Sequence, residues 1–237
     1  MDLAKLKSYL EELSLRLESS DKTLLEARLK GLVSVFPFNE YEYILMFFRD
    51  KNIISFEDYE KLRSDYVQSN RYLSLYDLSP RVFGQVWGEQ HILDIDSRFM
   101  KGSKTLDPRF DGEYDIWLEG LRIEVKACRA IDSRHQRGII SRALRYNSPA
   151  PFWMNFQQLK PDMCDCFIFI GVWVDIIKYW VLTSEEAREN RYLSRQHRGG
   201  IEYQIGIKHD NRDDFDEYAV SSDKLVDVIL YKTRPTR

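Results

Sequence analysis

Asp115 and the triplet Glu124-Val125-Lys126 are separated by eight residues, and they place two carboxylates and an amine among Ile116, Leu118, Ile123 and Val125. Such apolar neighbours point to a sheet interior. Opposed carboxylates there repel each other and lose hydration, at a cost of several kcal/mol. A divalent ion removes the conflict. Hard oxygen ligands completed by waters and by substrate phosphate oxygens suit Mg²⁺. An amine on the same face would orient a water or stabilise developing negative charge, while metal coordination lowers the pKa of the water. The chemistry implied is metal-assisted phosphodiester hydrolysis.

Two strands must position these groups. Residues 113–118 and 121–128 both carry strand patterning, and Glu119-Gly120 between them is a two-residue hairpin turn with glycine where positive φ is wanted. The pairing that follows sets Leu118 against Leu121, Trp117 against Arg122, Ile116 against Ile123 and Asp115 against Glu124. Directly opposed Cβ atoms lie about 4.5–5.5 Å apart, near enough for both carboxylates to share one cation. Period-two alternation puts Glu124 and Lys126 on one face and Ile123 and Val125 on the other. The same register sets Glu113 against Lys126 as a rival ion pair, and Asp111 also competes for the first carboxylate position. A Glu-x-Lys triplet alone carries almost no information, and an exposed ladder of Arg122, Glu124 and Lys126 describes an ordinary solvated face. The weight rests on the opposed acid, the alternation on both strands, the turn and the arginine-rich segment that follows at once, taken together.

The remaining elements frame this hairpin. Residues 1–75 read as helical, with apolar positions at helical spacing from Leu3, from Leu24 and from Tyr41, and with a capping box opening a helix at Ser55-Phe-Glu-Asp58. Pro80 opens a helix over 81–92 that carries Glu89 near its end. Residues 94–112 form a loop. Residues 152–160 are expected to be a short helix bearing Gln157 and Gln158, ended by Pro161. Cys166 to Val174 is almost continuously apolar, as a strand covered on both faces requires. Further strands are expected over 178–182 and 201–207, with a capped helix starting at Thr183. The fold class is α/β: a mixed sheet flanked by helices, with an N-terminal helical region over 1–75 and a core over 76–237.

Asp115, eight residues, then Glu124-Val125-Lys126 resembles the active-site signature of the PD-(D/E)XK nuclease superfamily. The helix before the hairpin, the basic segment after it and the later buried strand resemble its restriction endonucleases. The likeness spans roughly residues 80 to 210, and Tyr114 stands where the superfamily's name has proline. The resemblance implies a restriction-endonuclease-like core in which Asp115 and Glu124 hold Mg²⁺, the Val125 carbonyl is a third ligand, and Lys126 positions or activates the attacking water. Glu89 and Gln158 stand as accessory candidates. The implied activity is that of a type II restriction enzyme, an endodeoxyribonuclease cutting duplex DNA at a specific sequence. The alternatives are a repair or recombination nuclease with the same core, or a noncatalytic DNA-binding protein whose hairpin charges form only ion pairs.

Arg129, Arg134, Arg137, Arg142 and Arg145 follow the hairpin with one acid among them, Asp132, and are the expected DNA contacts. A second basic set runs from Arg188 to His209. These clusters sit on a chain of net charge −3, which argues against a nonspecific polycation. Cutting both strands of a symmetric site suits a twofold homodimer. Three cysteines without spaced histidines suggest neither disulfides nor a zinc site. The charged start and the lack of a long apolar run predict a cytoplasmic protein with no membrane span.

Overall fold

The computed structural model describes residues 3–32, 37–134, 138–195 and 202–233. The chain divides into two compact units, Met1–Leu73 and Ser74–Arg237. Among the described residues no helix is long and apolar enough to cross a membrane.

The first unit is four helices: α1 (Leu3–Ser14), α2 (Ser19–Lys30), α3 (Pro37–Asp50) and α4 (Phe56–Ser69). The expected capping box opens α4, with Ser55 Oγ accepting from the Asp58 N–H and the Asp58 carboxylate accepting from the Ser55 N–H. Leu6, Leu10 and Leu13 of α1 pack with Leu25, Leu45, Phe48 and Tyr66 in one apolar core, as their helical spacing predicts.

The second unit is mixed α/β. A helix begins at Pro80, is π-helical over Val82–Gly88 and becomes α5 at Glu89–Ile95. Glu89 therefore opens the α-helical part and does not lie near a helix end. The strands are β1 (Met100–Lys101), β2 (Ile116–Leu118), β3 (Leu121–Arg129), β4 (Trp153–Leu159), β5 (Cys166–Val172), β6 (Ile177–Thr183), β7 (Leu193–Arg195), β8 (Tyr203–Lys208) and β9 (Ala219–Val220). Among the described residues the α-helices that follow are α6 (Ser184–Glu189) and α7 (Leu225–Thr233), with short 3₁₀ segments such as Arg212–Tyr218 between the elements.

Six strands form a mixed sheet in the order β1-β2-β3-β5-β6-β9, antiparallel throughout except for β3 and β5, which run parallel. Every residue of β5 is buried, as its continuous apolar sequence predicts. Its Phe169 ring stacks on Phe156 of β4 at 4.4 Å, so the second, three-stranded sheet β4-β8-β7 covers one face. Helical segments cover the other: Gly88 lies against Ala127, and the Arg129 guanidinium lies 4.4 Å from the Phe83 ring centre.

Three expectations are corrected. The expected loop over 94–112 carries strand β1, which pairs with β2. Residues 152–160 are not a helix. Trp153–Leu159 is a strand whose alternation places Met154, Phe156 and Leu159 in the core, broken by a register shift between Phe156 and Leu159 where Gln158 takes φ 58°. The hairpin's first strand also begins at Ile116, not at residue 113. Its turn is as expected: Glu119 and Gly120 have φ 49° and 96°, the two positive values a type I′ turn requires.

A candidate active site at the uncovered edge of one strand

β3 is nine residues long and its neighbour β2 only three, so the edge of β3 beyond Ile123 loses its partner strand. A cleft of about 560 Å³ opens there, lined by every residue from Glu124 to Cys128. The helix starting at Pro80 forms one wall through Arg81, Gln85 and Glu89, and β4 forms another through Asn155 to Gln158. The loop before β2 contributes Asp115.

Asp115 ends the ladder. Ile116 pairs with Ile123, yet the Asp115 N–H also donates to the Ile123 carbonyl, at 3.0 Å, so two residues oppose one. The Asp115 carboxylate then accepts the Val125 N–H at 2.8 Å. A side-chain oxygen thus replaces the backbone acceptor a continuing strand would offer. The expected opposition of Asp115 and Glu124 is not a regular rung, but the two carboxyls lie close enough to share a hydrogen bond. Tyr114 is buried and packs edge-on against Phe110, fixing the chain just before this acid.

Lys126 lies 2.5 Å from Glu124, their side chains 22% and 13% exposed. Lys126 takes Glu124 as its ion-pair partner in place of the rival Glu113, which is exposed at the cleft. Burial, opposed by Lys126 and reinforced by Asp115, pushes the Glu124 carboxyl up to about 7. Burial also raises Asp115, against the Val125 N–H, Lys126 and Lys101. For Lys126 burial works against the charged form, but Glu124 and Asp115 outweigh it and its pKa is raised. Burial and the nearby Asp115 raise Glu89, which meets Lys101 at 3.5 Å. Three acids therefore face one buried lysine and one exposed one.

Among the described residues no three His, Cys, Asp or Glu side chains converge as a metal-binding group. Two carboxyls that resist ionisation side by side, with a backbone carbonyl next to them, are a sparser oxygen set. Mg²⁺ commonly takes such a set and completes its shell with water and phosphate. Because the N–H and C=O of one strand residue point to the same edge, the Val125 carbonyl is directed to the side on which Asp115 meets its N–H. The donors present fit that ion.

The structure brings Asp115, Glu124, Val125, Lys126, Glu89 and Gln158 into one cleft, although Gln158 arrives on a strand. It does not bring Arg129, Arg134, Arg142 or Arg145. Arg129 is 8% exposed and its Nη1 donates to the Leu75 and Leu78 carbonyls, so it is a core residue with no access to DNA. Arg134 binds Asp132 and Arg145 pairs with Asp175 at 3.5 Å. Arg142 donates to the Asp132 carbonyl. None of these four lines the cleft. Arg137 lies outside the described residues, as do His135, His197 and Arg198.

The cations that do line the cleft besides Lys126 are Arg81 and Lys160, the latter 3.8 Å from Glu202. Neither carries a local sequence signal. Asn155 was also missed, although reading Trp153, Asn155 and Gln157 as one alternating set would have placed it on the cleft side of a strand. Comparison with protein-family models, curated proteins and solved structures finds no match to this chain.

Proposed function

We propose that the chain is a Mg²⁺-dependent endodeoxyribonuclease with a restriction-endonuclease-like core, hydrolysing phosphodiester bonds of duplex DNA at a specific sequence. One observation carries the reading: Asp115 and Glu124 line one cleft at the open edge of β3, with Lys126 2.5 Å from Glu124. A buried structural ion pair needs one acid for one base; this site has an acid to spare.

In this reading Asp115, Glu124 and the Val125 carbonyl hold Mg²⁺, which supplies Lewis-acid polarisation of the phosphate and a more acidic water. The chain's own groups do the rest. Asp115, oriented by the Val125 N–H, lines the cleft. The Lys126 ammonium offsets the negative charge that grows as the water oxygen bonds to phosphorus and the P–O bond to the leaving sugar oxygen breaks. Glu89, outside the two-carboxyl contact, is placed to take the proton that the water gives up. Arg81 and Lys160 supply positive charge along the cleft for the flanking phosphates. A twofold dimer would present one such site to each strand.

The test is incubation of a mixed-sequence plasmid with and without Mg²⁺. Discrete fragments that need Mg²⁺ and disappear with Asp115→Asn are expected, because the amide still accepts the Val125 N–H but no longer offers an anionic ligand. Structure-selective nicking would move the reading to a repair or recombination nuclease. Tight DNA binding with no cleavage under any condition would leave the hairpin charges as ion pairs only.

A further inference from the structure

The three-stranded sheet has two unlike faces. Met154 and Phe156 of β4 and Ile205 and Ile207 of β8 point into the core at 0–1% exposure. The opposite face carries Trp153 and Asn155 of β4, Gln204, Gly206 and Lys208 of β8, and Ser194 of β7, brought side by side by the registers Trp153 to Lys208, Asn155 to Gly206 and Ser194 to Gln204.

Trp153 is 53% exposed, and hollows of about 300 and 450 Å³ meet at it, both also lined by Lys208 and Asp210. A Cβ on Gly206 would come within 2.7 Å of the Trp153 Nε1, so the glycine lets the indole lie against the β8 backbone and leaves its other side to solvent. Next to it runs a chain of amides. Asn155 Nδ2 donates to Gln204 Oε1 at 3.1 Å, and Gln204 Nε2 donates to Ser194 Oγ at 3.3 Å. Both amides are thereby oriented, and the Asn155 Oδ1 is left as a buried acceptor with no hydrogen-bond partner. Such a group calls for a donor. Asn155 lines both the hollow beside Trp153 and the cleft that holds Asp115, Glu124 and Lys126.

A ligand matched to this surface has a flat aromatic face for the indole, an N–H on its edge for Asn155 Oδ1 and an anionic backbone near Lys208. A nucleobase on a strand has all three. We propose that one unpaired nucleotide of the substrate strand docks on this sheet, its base stacked on Trp153 and hydrogen-bonded to Asn155, while the same strand enters the cleft. This rests on reading the cleft as a phosphodiester site. The base has two sources, extrusion from a duplex or a strand that is already single.

Fluorescence anisotropy in EDTA separates binding from cleavage. The probes are a short single strand, a fully paired duplex, a duplex with one unpaired nucleotide and the same duplex with an abasic residue at that position. The wild-type chain is expected to bind the unpaired base more tightly than the abasic site. Trp153→Ala should lose about 5- to 150-fold on that probe, the 1–3 kcal/mol of one stacked base. Trp153→Phe should recover most of it, which a misfolded variant would not. Preference for the single strand identifies an open strand as the source, and preference for the duplex with one unpaired nucleotide identifies extrusion. Equal binding of base and abasic probes, or of Trp153→Ala and wild type on every probe, overturns the docking while plasmid cleavage still judges the cleft. Discrimination of the base by a chain that never cleaves with Mg²⁺ keeps the docking and removes the cleft reading.

Discussion

Two ion pairs lie on the same face of β3, two residues apart, and they are built differently. Arg122 binds Asp165 through Nε and Nη2 at 3.2 and 2.8 Å, and its own backbone N–H donates to the same carboxylate at 2.7 Å. One acid meets one base in a bidentate geometry, with both side chains about one-third exposed. Glu124 and Lys126 are more buried, and two further acids, Asp115 and Glu89, line the same cleft within electrostatic range. Charge at alternating positions is common to both pairs, so charge does not mark the site. The mismatch between acids and bases does, because a saturated pair has nothing left to offer a ligand, whereas an excess of buried carboxyl is relieved by a proton or by a cation.

The largest test of this contrast removes the base from each pair. Lys126→Ala is expected to slow Mg²⁺-dependent cleavage by about 10²- to 10³-fold, the range for loss of one group that stabilises transition-state charge, with DNA binding retained. Arg122→Ala should leave the cleavage rate within a few-fold of wild type and instead lower unfolding stability by about 1–3 kcal/mol, because Asp165 loses its charge-assisted bonds. Single-turnover cleavage and urea unfolding of both variants measure this. Equal rate losses would show that both pairs are structural.

The next effect is one of linkage. Glu124 has an ordinary value of 4.5 and is pushed up to about 7 by burial, against Lys126 and with Asp115. Above pH 4.5 the unfolded chain releases this proton while the folded chain still holds it, so the folded state binds more protons and stability falls as pH rises. The decline should run from about pH 4.5 to 7, amount to on the order of a few kcal/mol in EDTA, and be absent in Glu124→Gln. Mg²⁺ should oppose it above pH 7, where the carboxylate is ionised, by about 1.4 kcal/mol for each tenfold excess over its dissociation constant. Arg122→Ala, by contrast, should keep the slope. Urea unfolding at pH 5 and 8 with and without Mg²⁺ separates these outcomes; a slope of the opposite sign would place Glu124 in a satisfied ion pair.

The contrast between the pairs was only partly legible in the sequence. Period two put Arg122, Glu124 and Lys126 on one face, and Glu119-Gly120 set the register that brought Asp115 to the end of the ladder. That Asp115 caps Val125 in place of continuing the strand depends on where β2 stops, which no residue type announces. Arg129 was within reach of the same arithmetic: it alternates with Ile123, Val125 and Ala127, and that face is the buried one. Counting it with the following arginines let local charge density override strand periodicity. β4 was misread because Gln157-Gln158 breaks its alternation where the register shifts, and Pro161 suggests a helix end as readily as a strand end. The mixed α/β architecture, the buried β5 and both capping boxes were legible because each depends on residues adjacent in the chain.

The smallest expected effect concerns Glu89, whose pair with Lys101 is looser than either pair on β3. Lys101 is 75% exposed and sits at 3.5 Å, so the pair itself is worth about 0–1 kcal/mol and leaves the Glu89 carboxylate free to do other work. Burial and Asp115 raise its pKa, and a base of raised pKa is better matched to taking a proton near neutral pH. Glu89→Gln keeps the shape and a hydrogen-bonding oxygen but cannot accept that proton. It should slow cleavage by about five-fold, the equivalent of about 1 kcal/mol, and flatten the acid limb of the pH-rate profile with little change in unfolding stability. If the rate falls but the limb keeps its slope, Glu89 acts only as a fixed charge near Lys101 and the proton leaves by another route.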